Sequence, residues 1–541
     1  MKHFENKYTI RYLLFAIILF GAFLRFYNLN WGAPYYFHPD ERNIASSISQ
    51  LNFPWQMNPH FFAYGSFPIY VSYFVGIIFN LLFQVIHAQA FDRNIFFVSF
   101  ENAIISLRLI SVLLSISIIP LIYFTGKKLG GRKVGLLAAI LSSISVGFIQ
   151  FAHFGTFEIW LTFLSLLFFY LCLRNIEKIT LKNIIVLCVV LALLFGTKIS
   201  SLVILPLPFL LIIKNIKGYK KITYSFLSLF APVIILLLIS PFFILDFNSF
   251  RGSMQYESSV ALGTLPVFYI GEFFNSLPIL FQFTRIYPFL LNPIITLLLI
   301  PSIVYILYQS FKKKLVDHYL LFAIFSLLFF SQAFFFAKWT RYMVPTLPFI
   351  YLMISLTLIS FLKLPIKNVF KNIFFTLIIF GSFLYTTSYF ITAFVKADTR
   401  ISAASFAQKN ISRDSNILSE VYDLGITPFN PLLSKITLFN FYDLDQTPSK
   451  EDELSSYLSN YDYLILPSQR ILKSRLIQPK QFPVGYNVYK KIVDELGFKK
   501  IYQSPCDIFC KITYLNNPVF SFEETANIFD RPTVFIYKIM H

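Results

Sequence analysis

Apolar runs long enough to cross a bilayer, separated by short basic loops, recur between residues 10 and 394 of this chain. A helix spans the hydrocarbon core with about 20 apolar residues and satisfies its own backbone there, which open sheets and loops do not. The pattern predicts a polytopic α-helical membrane protein. Composition agrees: 56% of the 541 residues are hydrophobic and only 13% are charged, with a mean hydropathy of +0.64. A soluble core of this length has no need of so much apolar surface. The first run, at 12–27, is interrupted only by Arg25 and followed by Asn28 and Asn30 rather than a small-residue cleavage site, so it reads as a retained span.

The 46 Lys and Arg against 27 Asp and Glu give a net charge of +19. The basic residues gather in loops at 2–11, 127–133, 174–182, 214–221, 312–314 and 363–371, where they specify orientation. They form no basic and aromatic stripe of the kind that binds nucleic acid, so no nucleic-acid partner is expected. With every cluster on the cytoplasmic side, about eleven spans follow, at 10–27, 104–125, 134–152, 157–173, 183–196, 198–213, 222–245, 290–310, 318–336, 342–362 and 372–394. The amino end is then cytoplasmic. The run at 67–86 is also long enough to cross, but crossing would invert every later loop. It is expected to lie in the interface or fold re-entrantly, packed with the loop that carries Asp40.

After Val395 the long apolar runs stop and charged residues arrive quickly. Residues 396–541 suffice for a soluble α/β domain, with a helix expected at 400–409 and strands at 416–421, 461–466 and 533–537. An odd number of spans places this domain outside. The expected organisation is a transmembrane catalytic domain at 1–395, with an external loop and juxtamembrane helices at 28–103, and an extracytoplasmic domain at 396–541. Cys172 and Cys188 read as packing residues inside spans. Cys506 and Cys510 suit a short-loop disulfide, and too few further ligands stand nearby for structural zinc.

The same topology gathers polar residues at the external edge. Phe37-His38-Pro39-Asp40-Glu41 follows the first span, His153 and Glu158 precede the fourth, Lys198 ends Gly196-Thr197-Lys198, and Arg341 and Tyr342 open the tenth. Each also has a plainer reading. Asp40 after a proline suits a helix cap, with Glu41 favoured in the first turn. Glu158 suits a water-exposed helix start, although a carboxylate facing lipid there costs roughly 2–3 kcal/mol. Lys198 and Arg341 suit snorkelling toward headgroups, or the neutralisation of a lipid-linked phosphate. His153 alone is weak evidence. The loop at 246–288, with Asp246, Arg251, Glu257, Glu272 and Arg285, suits a cover over a substrate or an ordinary solvated loop.

Taken together, Phe-His-Pro-Asp-Glu after the first span, Phe154-Gly155-Thr156-Phe157-Glu158, Gly196-Thr197-Lys198 and Arg341-Tyr342-Met343-Val344-Pro345 with Pro348 resemble the polytopic, lipid-carrier-dependent GT-C glycosyltransferases. Within these the chain is most similar to the protein mannosyltransferase and aminoarabinose transferase group, family 39. Asp530-Arg531-Pro532-Thr533-Val534 resembles the closing segment of some bacterial and archaeal members. The resemblance implies a GT-C-like membrane domain and an inverting hexosyl or pentosyl transfer. The donor would be a polyprenyl-monophosphate sugar, and the acceptor a protein, lipid or cell-envelope glycan on the extracytoplasmic face.

By this resemblance Asp40 is the catalytic base and Glu41 assists it, while Glu158 and His153 form a second acidic, acceptor-side site. The second acid of the family is more usually Asp. Lys198, Arg341 and Tyr342 hold the donor phosphate. No cofactor is certain and no metal site is expected, with Asp40, Glu41 and Glu158 as its ligands if a divalent cation is used. A transporter or flippase of lipid-linked or small polar substrates is the alternative. That class favours paired repeats and broken helices at the midplane, whereas the charges here gather at one edge.

Overall fold

The computed structural model describes residues 7–87 and 93–541. Lys2 and the rest of the first basic cluster before Lys7 lie outside the described residues. Eight described helices are long and apolar enough to cross a membrane. A ninth span forms if the bent pair Arg132–Ser143 and Val146–His153, angled at 51°, counts as one. Leu181–Thr197 and Ile199–Asn215 are shorter apolar helices. By these measures the count is below the expected eleven, because the runs at 134–152, 157–173, 183–196 and 198–213 fold as bent or short pieces while the run at 67–86 adds one.

The longest helix, Phe100–Gly130, starts where the Ser99 side chain accepts the N–H of Asn102 and ends at Gly131 with Lys127 and Lys128 in its last turn. Arg25 does not face lipid. It is fully buried, donating Nε to Ser115 Oγ at 2.8 Å, Nη1 to the Ser143 carbonyl at 2.9 Å and Nη2 to the Ser142 carbonyl at 3.0 Å. The bend after Ser143 interrupts the helical ladder, and the guanidinium from the neighbouring helix takes the carbonyls there.

The run at 67–86 is one continuous helix, Ser66–Ile86, and not a re-entrant fold. Gly76 does not break it but gives room for Val98, which a β-carbon there would meet at 2.6 Å. The helix is long and apolar enough to cross a membrane.

The C-terminal part holds a five-stranded sheet of β1 (Asn416–Glu420), β2 (Lys435–Phe439), β3 (Tyr463–Leu466), β4 (Phe498–Gln503) and β5 (Phe535–Ile539), in the order β2-β1-β3-β5-β4. β1 runs parallel to β2 and β3, and β5 antiparallel to β3 and β4. Side chains alternate between the faces. Ile417, Ile465 and Ile536 pack on Ala403 and Ala407 of helix Thr399–Asn410, and Leu418, Leu464 and Tyr537 pack on Leu454 and Ile492. The expected strands are β1, β3 and β5. The two unforeseen ones are edges, where Lys435, Lys499 and Lys500 break the apolar pattern.

The segment at 520–530 ties helices and sheet. Phe522, Ala526, Ile528 and Phe529 belong to the same apolar core as the membrane helices. Asp530 accepts from Gln150 Nε2 at 3.0 Å and from the Tyr389 hydroxyl at 2.6 Å. Cys506 and Cys510 are disulfide-bonded, while Cys172 and Cys188 are free and buried.

Candidate active site

The helix Pro39–Ser49 is built to present Asp40. His38 is its N-cap, accepting the Glu41 N–H on Nδ1 at 3.4 Å, and Pro39 supplies a preset first helical residue. The capping role considered for Asp40 therefore falls to His38. That ring is packed against Phe154 and Phe529, at 4.6 and 4.4 Å between centroids. Burial pushes its pKa below the ordinary value against the pull of Asp40 and Glu41, consistent with a neutral acceptor nitrogen.

Asp40 and Glu41, adjacent in sequence, point to different places. Asp40 lines a cavity of ≈ 1050 Å³. Its Oδ2 accepts from Arg341 Nη1 and, at 3.1 Å, from the Tyr64 hydroxyl. Burial works to raise this carboxyl, but Arg341 leads the opposing interactions and the net result lies below the usual carboxylate range. Glu41 is fully buried away from the cavity, with Oε1 2.7 Å from Arg108 Nε and Oε2 2.7 Å from Nη2. Its Oε1 also accepts the Gly155 N–H at 2.8 Å. A β-carbon at Gly155 would sit 2.8 Å from that oxygen, so glycine admits the carboxylate. The structure thus places Glu41 in a buried ion pair, not at the side of Asp40 as expected.

Lys198 enters the cavity where the helix Leu181–Thr197 ends. Its ammonium lies over the rings of Tyr64 and Tyr342, at 5.4 and 4.9 Å. Tyr64 is brought there by backbone contact: Gly65 N–H donates to the Thr197 carbonyl at 3.0 Å, and a β-carbon on Gly65 would lie 1.9 Å from the Gly196 carbonyl oxygen. Arg341 stacks on Trp339 at 4.6 Å. Its Nη1 serves Asp40 and Tyr64, while its Nε is buried without a hydrogen-bond partner among the described residues. The guanidinium retains donor capacity toward a second anion.

Glu158 is nearly fully buried, and its Oε2 has no partner among the described residues. It faces a hollow of ≈ 20 Å³ also lined by Lys198, Arg341 and Tyr342, on the scale of one water. His153, expected beside Glu158, is buried elsewhere. Its ring nitrogens reach the carbonyls of Ile149 and Tyr27 at 2.8 and 2.9 Å, and it stacks on Phe394 at 3.7 Å. Among the described residues no three His, Cys, Asp or Glu side chains are grouped to hold a metal ion. The set of Asp40, Glu41 and Glu158 named for a cation does not converge, because Arg108 holds Glu41 away.

A family described as dolichyl-phosphate-mannose-protein mannosyltransferase matches residues 91–245. The apo oligosaccharyltransferase of Archaeoglobus fulgidus aligns in structure with a TM-score of 0.54 at 12% identity, over 99% of this chain and 89% of that one. The same archaeal enzyme in complex with an inhibitory peptide and a dolichol-phosphate aligns at 0.54 and 12% identity, over 98% and 88%. Over nearly its whole length the chain has the fold of this archaeal oligosaccharyltransferase. ArnT of Cupriavidus metallidurans, apo, aligns at 0.45 and 12% identity over 84% and 91%. No curated protein matches the chain by sequence.

The cavity has wall residues that the motifs did not name. Tyr64 sits in a loop without a charged residue. Glu257, on the helix Phe247–Leu262, lines the cavity, and burial raises its pKa against the pull of Arg341 and Lys198. From the C-terminal part come Tyr422, Arg470, Glu524 and Phe529. Only Glu257 carried a signal, as an acid in the loop considered as a cover.

Proposed function

We propose that this multi-pass GT-C protein is an inverting glycosyltransferase that moves a sugar from a polyprenyl-monophosphate carrier to a protein, lipid or glycan acceptor. The observation that carries the reading is the meeting of Asp40, Arg341 and Lys198 on one cavity between the membrane helices and the C-terminal sheet. Asp40 is the base that receives the acceptor proton as the new anomeric bond forms. Arg341, with its unpartnered Nε, and Lys198 hold the departing phosphate and offset its growing charge. Tyr342 shelves Lys198, and Glu158 supplies a counter-charge behind the two cations. Placement in family 39 follows from the motifs.

Catalysis is assigned to the helical part through 395, with 396–541 as the wall of its acceptor side. The cavity lies on the extracytoplasmic face and the amino end is cytoplasmic, an orientation in which the helix Ser66–Ile86 lies against its neighbours without crossing. Lys127 follows Arg108 on one helix by about nineteen residues, roughly 28 Å at the α-helical rise, which separates the basic loop from the site by about a bilayer core. The transporter alternative finds no support in the fold, which is that of GT-C enzymes.

The test is transfer from a synthetic polyprenyl-phosphate sugar by the purified protein, with acceptors drawn from envelope extracts and products read by mass spectrometry. Asp40→Asn is expected to stay folded and to lose roughly 100-fold or more of turnover. Near wild-type turnover in that variant would leave Asp40 a structural acid only.

A further inference from the structure

We infer that Glu523, in the segment joining sheet and helices, is a positioning residue for Arg341: its carboxylate holds the start of the turn Thr340–Thr346 and thereby sets the guanidinium against Asp40. The inference rests on the reading of Arg341 given above. Glu523 is fully buried, and its Oε2 accepts the N–H of Thr340 at 3.0 Å and of Thr525 at 3.2 Å. Thr340 is the first residue of the turn and Arg341 the second. Free N–H groups at a helix start need such an acceptor, and one drawn from another part of the chain fixes where the helix begins.

The surroundings hold Glu523 still and give it no cation of its own. Its N–H donates to the Arg285 carbonyl at 3.2 Å, and Arg285 Nη1 donates to the Phe520 carbonyl at 2.6 Å. On the neighbouring elements Arg470 is taken by Glu524 at 2.9 Å and Lys473 by Glu272 at 2.5 Å. Among the described residues no ion pair reaches Glu523, and its Oε1 has no hydrogen-bond partner. A buried carboxylate without a cation is costly. The two N–H groups it accepts account for its retention, and one of them leads directly to Arg341.

The test uses the purified full chain in detergent, titrated with undecaprenyl phosphate as the probe. Arg341→Met is expected to weaken binding, and Glu523→Ala to weaken it about tenfold. Glu523→Gln, which keeps an acceptor oxygen, should bind within about threefold of the wild type. Because the effect runs through Arg341, the double variant Glu523→Ala/Arg341→Met should bind no more weakly than Arg341→Met alone. Thr340→Pro removes the donor from the other side, at a first helical position where proline is accommodated, and should itself show the roughly tenfold loss, which keeps the test open if the alanine variant fails to fold.

Additive losses in the double variant would overturn the positioning role, as would wild-type binding by both Glu523→Ala and Thr340→Pro while Arg341→Met is impaired. Wild-type binding by Arg341→Met would instead remove the phosphate-binding reading, and the inference with it.

Discussion

Arg341 donates to the carboxylate of Asp40 although 301 residues separate them in the chain. The residue expected to serve the donor phosphate also sets the state of the expected base. An arginine has five N–H donors, so it can bridge two anions, and on the proposed mechanism the contact would tie leaving-group stabilisation to acceptor activation.

This coupling makes the acid limb of the pH profile sensitive to a residue that does not itself titrate there. Arg341 heads the interactions that hold Asp40 below the usual carboxylate range, while burial alone would raise it. The limb in kcat/KM reports the free enzyme's base. In Arg341→Met the limb should move to higher pH, so activity is lost earlier on acidification. Profiles of the two proteins that superimpose after scaling would separate Asp40 from the limb.

Lys198 makes no ion pair within the described residues and rests between two tyrosine rings. A charge-assisted contact from it to a phosphate is worth about 1.5–3 kcal/mol. Lys198→Met should therefore weaken donor use by roughly 10-fold to 150-fold. Turnover should fall as well, since the leaving group gains charge in the transition state. Donor titrations at saturating acceptor read both effects, and unchanged kinetics would return Lys198 to a snorkelling role.

Glu41 belongs to the scaffold by its contacts, and its removal should show in stability before chemistry. Breaking a fully buried pair from one side costs about 3–5 kcal/mol, because the partner charge is left uncompensated. Glu41→Gln is expected to lower the thermal midpoint in detergent markedly, with the residual folded fraction retaining most of its turnover per molecule. A stable variant with turnover as low as that of Asp40→Asn would place Glu41 in the chemistry.

Burial, together with Glu524 and Glu272, pushes the Glu523 carboxyl from 4.5 up to about 7. Between those values the folded protein keeps a proton that the unfolded chain has released, so this group's contribution to stability falls as the pH rises from 4.5 through 7. Glu523→Gln has no proton to lose. Its thermal midpoint should equal the wild type's near pH 4.5 and exceed it increasingly toward pH 8. Parallel curves across that window would mean that Glu523 ionises as an ordinary carboxylate.

Much of the architecture could be read from hydropathy, because membrane spans are selected by length and apolarity alone. Asp40, Lys198 and Arg341 stood out as charges at the ends of apolar runs, and the fold gathers them on one cavity. Glu41 and His153 stood out for the same reason yet are buried against Arg108 and backbone carbonyls, since a charge at a membrane edge is equally well explained by an internal partner. Tyr64 was illegible: its place depends on Gly65 meeting Gly196, a contact between segments with no shared sequence signal. Glu523 was illegible too, because its partner is a backbone N–H and backbone groups leave no trace in composition.

The segment from Phe520 to Asp530 lies late in the order of synthesis, yet it braces helices threaded into the membrane much earlier. A nascent chain that has inserted every span still lacks the acceptor for Thr340 and the wall formed by Glu524 and Phe529. The site is therefore completed only once the C-terminal part has been made and has folded against the helices, and a chain truncated before Phe520 would lack that wall.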